Sequence, residues 1–229
     1  MVDDRILKLI TNEELDKIKN LNILIVGVGG VGGYALEALI RSGVLNITII
    51  DKDKIDESNL NRQIISLKSN ITKSKVEEAK NRALNIRNNA NITAIEKFLT
   101  KDNLSDTLNT IKYDYIIDAC DNVTVKVELI DYALKNNINI ISCVGTGNRF
   151  NPEELKITTL NKTYNDPLAK VMRKLLRQRN IKDKITVCWS KELPVKTDGR
   201  TPGSMIFVPA SAGILIASYI IRKEINKWV

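Results

Sequence analysis

Hydrophobic positions along the first 150 residues fall into short apolar runs separated by longer amphipathic stretches. Ile23 to Val26 form one such run, and four consecutive apolar side chains predict a parallel strand covered on both faces. A glycine-rich turn and a helical stretch through Arg41 follow, closing at Gly43. Ile47 to Ile50 then predict a second strand, which ends on Asp51. Further strands are predicted over 92–98, 113–117 and 138–143, and helices near 73–87, 102–110 and 124–136. This alternation predicts an α/β fold built on a doubly wound, mostly parallel sheet with right-handed crossovers.

The first turn carries the clearest chemistry. Gly27-Val28-Gly29-Gly30-Val31-Gly32 joins the first strand to the first long helix. Glycines at 27, 29 and 32 permit a tight turn, close backbone approach to a phosphate, and close packing of helix on strand. The helix N-terminus then faces the anion with unpaired N–H groups. Asp51, at the end of the second strand, is placed to accept hydrogen bonds from a ribose. The chain is therefore expected to bind a nucleotide in a Rossmann-like part spanning 1–150, with 151–229 as a C-terminal extension of strands and helices specifying a second substrate, all within one domain.

Glycines and one acid by themselves fit a nicotinamide cofactor. Residues after Asp51 shift the balance. Ser58-Asn59-Leu60-Asn61-Arg62-Gln63 adds a guanidinium, and Ser74-Lys75-Val76-Glu77 adds an ammonium. A hydride-transfer site leaves its diphosphate intact and has no evident use for them. Breaking a triphosphate does, because negative charge builds on the bridging and leaving oxygens. The blander readings are that Lys75 lies on a solvated helix face of mixed charge, that Asn59 is a turn residue, and that Asp118 caps a helix or turn.

Taken in order, GxGGxG, Asp51-x-Asp53, Asn59-Leu-x-Arg62-Gln, Lys75 and Asp118-Ala-Cys-Asp121-Asn122 resemble the ubiquitin-activating-enzyme superfamily, whose members adenylate a carboxylate with ATP. The resemblance implies that Gly27, Gly29, Gly30, Gly32, Asp51 and Asp53 hold the nucleotide. It implies that Asn59, Arg62 and Lys75 hold the triphosphate and that Asp121 holds Mg²⁺. Arg5 matches the arginine such enzymes pass across a dimer interface, which implies a homodimer. Arg62, Lys75, Asp121 and Arg5 would then be the catalytic set.

Composition removes several alternatives. The chain has no histidine and three cysteines, Cys120, Cys143 and Cys188. No His general base or His-ligated zinc is available. Three thiols also fall short of the four-cysteine zinc cage common among superfamily members that act on ubiquitin-like sulfur carriers, the competing substrate class. Wide, odd-numbered cysteine spacing and an acidic N-terminus without a signal-peptide layout fit a cytoplasmic enzyme. The apolar run Met205 to Ile221, broken by Pro209 and serines, is short for a bilayer span. It is read as a strand to Val208, a turn at Pro209, and a buried helix from Ser211 to about Lys223.

Beyond Val144, Thr146-Gly147-Asn148 reads as a loop, Leu155 to Leu160 as a strand, and 194–202 as a polar hairpin or loop. Asp166-Pro167 opens a helix with an acid at the N-cap and Pro at the first helical position. Its positions 168, 171, 172, 175 and 176 form an apolar stripe, and Lys170, Arg173, Lys174 and Arg177 line the other side. A basic face is ordinarily just solvated, but a net charge of +8 also fits RNA phosphates. Asn165-Asp-Pro-Leu-Ala-Lys-Val-Met-Arg173, Val187-Cys-Trp-Ser-Lys-Glu-Leu-Pro194 and Phe207-Val-Pro-Ala-Ser-Ala-Gly213 are similar to the C-terminal half of the tRNA threonylcarbamoyladenosine dehydratases. That resemblance implies a tRNA carrying threonylcarbamoyladenosine as the substrate, adenylated at its carboxylate and cyclised with loss of water. A sulfur-transfer protein partner is left open.

Overall fold

The computed structural model describes residues 2–199 and 201–227. Its centre is one seven-stranded sheet, ordered β3-β2-β1-β4-β5-β7-β6. The strands are β1 (Asn22–Val26), β2 (Asn46–Asp51), β3 (Asn91–Glu96), β4 (Tyr115–Asp118), β5 (Asn139–Cys143), β6 (Leu155–Thr159) and β7 (Thr186–Ser190). All pairings are parallel except β6 with β7. The C-terminal extension thus completes the same sheet, with β7 in register beside β5 and β6 folded back along the edge.

Alternation along each strand divides the core between two faces. Ile23 and Ile25 of β1, with Tyr115 and Ile117 of β4, pack under α2 (Gly32–Arg41), α3 (Lys75–Ile86) and α7 (Phe207–Glu224). Leu24, Val26 and Ile116 face α4 (Lys101–Leu108), α5 (Val123–Lys135) and α6 (Pro167–Gln178). A short α1 (Asn12–Lys19) precedes the sheet, held by a capping box between Thr11 and Glu14. The strand order reverses between β1 and β4, and there a crevice opens beyond the carboxyl ends of the strands.

Three expectations need correction. The segment before Pro209 is not a strand, because α7 already begins at Phe207 with Pro209 in its first turn. Helical N–H groups in the first turn have no intrahelical acceptor, so proline costs nothing there. Val171 is not part of the buried stripe of α6 and is 43% exposed, whereas Ala169, Met172 and Leu176 are buried. β3 stops at Glu96, and after a last backbone bond from the Lys97 N–H to the Asp51 carbonyl at 3.2 Å the chain leaves the sheet at Phe98. The 194–202 stretch forms no strand among the described residues, and Arg200 lies outside them. No helix among the described residues is long and apolar enough to cross a membrane.

Candidate nucleotide site and adjoining cavity

The glycine turn divides its tasks as its spacing predicts. Gly27 has φ +89°, and a Cβ there would meet the Ala119 carbonyl oxygen at 2.7 Å. Gly32 packs so closely that a Cβ would lie 1.8 Å from the Gly27 carbonyl oxygen. At Gly29 a Cβ would find only the Gln63 side chain at 3.5 Å, an ordinary contact. Gly27 and Gly32 are therefore required by the fold, while Gly29 keeps open the space in front of the turn.

That space belongs to a cavity of about 1410 Å³ at the switch point. Gly27, Gly29, Gly30, Asp51, Asp53, Asn59, Arg62, Lys75 and Asp121 all line it. Asp51 holds the turn: its Oδ2 accepts the Val28 N–H at 2.9 Å and its Oδ1 the Asp53 N–H at 2.9 Å. A carboxylate oxygen has two lone pairs, so each retains capacity for a ribose hydroxyl. Asn59 ends a short 3-10 turn and its Oδ1 accepts the Asp56 N–H at 3.1 Å, so the turn reading of this residue is correct as far as it goes. Arg62 Nη1 donates to the Ser58 carbonyl at 2.8 Å and to Asn61 Oδ1 at 2.9 Å.

Lys75 does not lie on a solvated face. It is 5% exposed at the first position of α3, with Nζ 3.1 Å from Asp53 Oδ2. The ammonium has three N–H donors and Asp53 takes one, so donors remain for a second acceptor in the cavity. Asp121 is exposed to the cavity just past β4. No group of three or more His, Cys, Asp or Glu side chains able to cage a metal occurs among the described residues. A single exposed carboxylate such as that of Asp121 fits Mg²⁺ only beside a bound phosphate, because Mg²⁺ keeps waters and shares phosphate oxygens. Arg5 lies elsewhere. It sits in the N-terminal turn, which is tied by Asp3 to Arg87, and Arg87 Nε in turn donates to the carbonyl of Ile40 near the C-terminal end of α2, away from the glycine turn.

Of the two cap readings of Asp118, the turn holds, its Oδ1 accepting the Cys120 N–H at 3.4 Å, and the helix does not. Asn122 caps α5, accepting from Thr124 and Val125. Asp118 is fully buried and paired with the equally buried Lys126 at 3.0 Å, and Ser142 Oγ donates to its other oxygen. Lys126 Nζ also donates to the Cys143 carbonyl at 2.8 Å. Burial is the largest single influence on the Lys126 ammonium and would depress it, but the charge and hydrogen bond of Asp118, together with Cys120 and Cys143, hold the pKa above its ordinary value. In sequence Lys126 looks like any lysine of an amphipathic helix; its one signal is a spacing of eight from Asp118, two turns along a helix that has not yet begun. Burial pushes the Cys120 thiol well up, as hydrogen bonding with Cys143 and burial do for Cys188, so neither is a ready thiolate.

Other contributors also escape the sequence. Lys97, Phe98 and Leu99 line the cavity after β3, and Lys52 Nζ lies 4.6 Å over the Phe98 ring. The cavity then continues into the C-terminal extension, past Gly145 to Arg149, Asp166 to Leu168 and Pro194 to Thr197. Arg149 is buried there. Its Nε donates to the Glu192 carbonyl at 3.1 Å, its Nη2 to that of Asn165 at 3.2 Å, and Asp166 lies 3.6 Å away. Asp166 is also the N-cap expected for α6, accepting from Ala169 at 2.9 Å.

The model of the ThiF family matches residues 3–222. The chain belongs to the ThiF family. Among curated ThiF relatives, the tRNA threonylcarbamoyladenosine dehydratase of Bacillus subtilis is 35% identical, over 93% of this chain and 90% of its own length. The crystal structure of the E. coli tRNA N6-threonylcarbamoyladenosine dehydratase superposes with a TM-score of 0.92 at 31% identity, covering 98% of this chain and 94% of the other. The same E. coli enzyme in complex with ATP gives a TM-score of 0.90 at 32% identity, over 96% and 92% of the two chains. The resemblance read from motifs in both halves is therefore borne out over nearly the whole length. Within this ThiF fold, three of the four basic positions on α6 are exposed: Lys170, Lys174 and Arg177. Arg173 is not available to a ligand in the same way, since its Nη1 donates to the carbonyls of Leu160 and Thr163, each at 3.1 Å, and to Thr163 Oγ1.

Proposed function

We propose that this chain is an ATP-dependent dehydratase of tRNA threonylcarbamoyladenosine, acting in the cytoplasm as a homodimer. The observation that carries the reading is one cavity in which the glycine turn, Asp51, Arg62, Lys75 and Asp121 face a space continuous with the C-terminal extension. A carboxylate is a poor electrophile at neutral pH. Its oxygen attacks the α-phosphorus of ATP, the α–β phosphoanhydride bond breaks, and pyrophosphate leaves. An atom of the same threonylcarbamoyl group then displaces AMP, which carries off the carboxylate oxygen and closes a ring.

The residues are suited to these steps. Asp51 and the turn fix the ribose and first phosphates, so that the carboxylate meets phosphorus in line. Arg62 and Lys75 neutralise charge on the departing pyrophosphate. Asp121 would hold Mg²⁺, which adds charge neutralisation across the phosphate oxygens. Lys170, Lys174 and Arg177 would meet RNA phosphates, whereas Arg173 braces α6. Arg5 would serve only from a second copy of the chain.

The test is to incubate the protein with ATP, Mg²⁺ and threonylcarbamoylated tRNA and weigh the nucleosides. A loss of about 18 Da at the modified adenosine with release of AMP is expected from acyl-adenylate chemistry. ATP–pyrophosphate exchange supported by a ubiquitin-like sulfur carrier, and not by this tRNA, would overturn the reading.

A further inference from the structure

The strap between β7 and α7 is stitched to the cavity wall at two asparagines. Asn148, at φ +58°, is the first. Its carbonyl accepts the Val195 N–H at 2.8 Å, its own N–H donates to the Gly203 carbonyl at 2.7 Å, and its Oδ1 accepts the Gly203 N–H at 2.6 Å. Both arms of the strap are thereby held over the second-substrate end of the cavity. The second stitch is Asn61, whose Nδ2 donates to the Ser204 carbonyl at 2.9 Å.

Asn61 has another partner. Its Oδ1 accepts from Arg62 Nη1 at 2.9 Å. The amide has only one workable orientation, because a carbonyl can only accept and a guanidinium can only donate. One exposed side chain therefore links the end of the strap to the cation at the triphosphate end. Apart from this link, Nη1 is anchored at the Ser58 carbonyl. Displacing the strap pulls on one of the two anchors that aim the guanidinium.

We infer that Asn61 is a positioning residue that couples occupancy of the RNA end of the cavity, through Ser204, to the placement of Arg62 at ATP. The inference rests on the reading of the cavity as an ATP and tRNA site. Coupling of this kind is reciprocal: if RNA improves the aim of Arg62, a bound ATP analogue must tighten RNA by the same factor.

The experiment measures the affinity of the full-length protein for threonylcarbamoylated tRNA with and without saturating non-hydrolysable ATP and Mg²⁺. In the unsubstituted protein the nucleotide is expected to tighten RNA by about fivefold or more, the lower range of ordinary coupling. Asn61→Ala is expected to bring that factor close to one. Asn148→Gly, which keeps the left-handed backbone and removes the Oδ1 stitch, is expected to reduce it as well. A residue with a merely structural role would change both affinities and leave their ratio alone. An unsubstituted protein with no coupling, or an Asn61→Ala protein with undiminished coupling, overturns the inference. A protein that neither binds nor cyclises this tRNA refutes the parent reading instead.

Discussion

Lys126 and Asp118 form an ion pair at 3.0 Å with both side chains wholly buried, beneath the turn that carries Asp121. The pair joins the end of β4, the first turns of α5 and, through the Cys143 carbonyl and Ser142, the end of β5. Removing one partner strands a buried charge. Lys126→Met is expected to cost about 3–5 kcal/mol of stability. Lys126→Met combined with Asp118→Asn should recover part of it, because no uncompensated carboxylate remains. Chemical denaturation of the single and double variants measures both. A Lys126→Met protein as stable as the parent would show that the pair does not organise this turn.

Two glycines separate fold from ligand approach. At Gly213 a Cβ would meet the Val31 carbonyl oxygen at 2.3 Å and the Ala35 nitrogen at 2.8 Å, backbone atoms of the helix that opens at the glycine turn. Gly213→Ala should therefore lower stability by about 1–3 kcal/mol through overpacking of α7 on α2. Gly29→Ala meets nothing closer than 3.5 Å, so its melting temperature should stay near that of the parent while ATP binding weakens severely. Thermal melts with and without ATP distinguish the two outcomes.

Arg62 and Lys75 face the same cavity from different elements, so each is expected to matter to the chemical step more than to nucleotide capture. Arg62→Ala and Lys75→Ala should each lower the adenylation rate by about a hundred- to a thousandfold, the scale of one lost electrostatic stabiliser. ATP–pyrophosphate exchange with the modified tRNA reads this directly. An Arg62→Ala protein that cyclises tRNA at the parent rate would place the guanidinium outside the reaction.

Much of this architecture was legible because parallel strands buried on both faces leave apolar runs, and Ile23 to Val26 and Ile47 to Ile50 are such runs. The glycine turn was legible for a steric reason, now visible at Gly27 and Gly32. Electrostatics across the turns was not. Lys126 and Arg149 are buried cations on segments whose local pattern reads as amphipathic helix or loop, and only the return of α5 along β4 and the packing of the 145–149 loop on the N-cap of α6 bring Asp118 and Asp166 to them. Pro209 misled because proline usually breaks a helix, whereas in the first turn of α7 it breaks nothing. Lys97 and Phe98 were counted into β3 because alternation cannot mark where a strand leaves its sheet.

Acid should loosen the N-terminal segment. The Arg87 guanidinium hydrogen-bonded to Asp3 holds that carboxyl below its ordinary range, with Lys19 adding to the effect. A depressed folded-state pKa stabilises above the unfolded value, about 3.9, and the contribution disappears as pH falls through the folded value. The difference in melting temperature between the parent and Asp3→Asn should be constant above about pH 5 and shrink below about pH 4. A difference that grows on acidification would reverse the assignment.

The basic face of α6 divides into a brace and a candidate contact surface, and salt dependence can tell them apart. Lys170, Lys174 and Arg177 are exposed, so replacing all three with alanine should leave the melting temperature nearly unchanged. If each neutralises one phosphate, the slope of log affinity for tRNA against log salt should become shallower by about two to three. Arg173 donates instead to the carbonyls of Leu160 and Thr163. Arg173→Ala should therefore lower the melting temperature and leave the salt slope where it was. Equal slopes for the parent and the triple variant would move the RNA to another face of the protein.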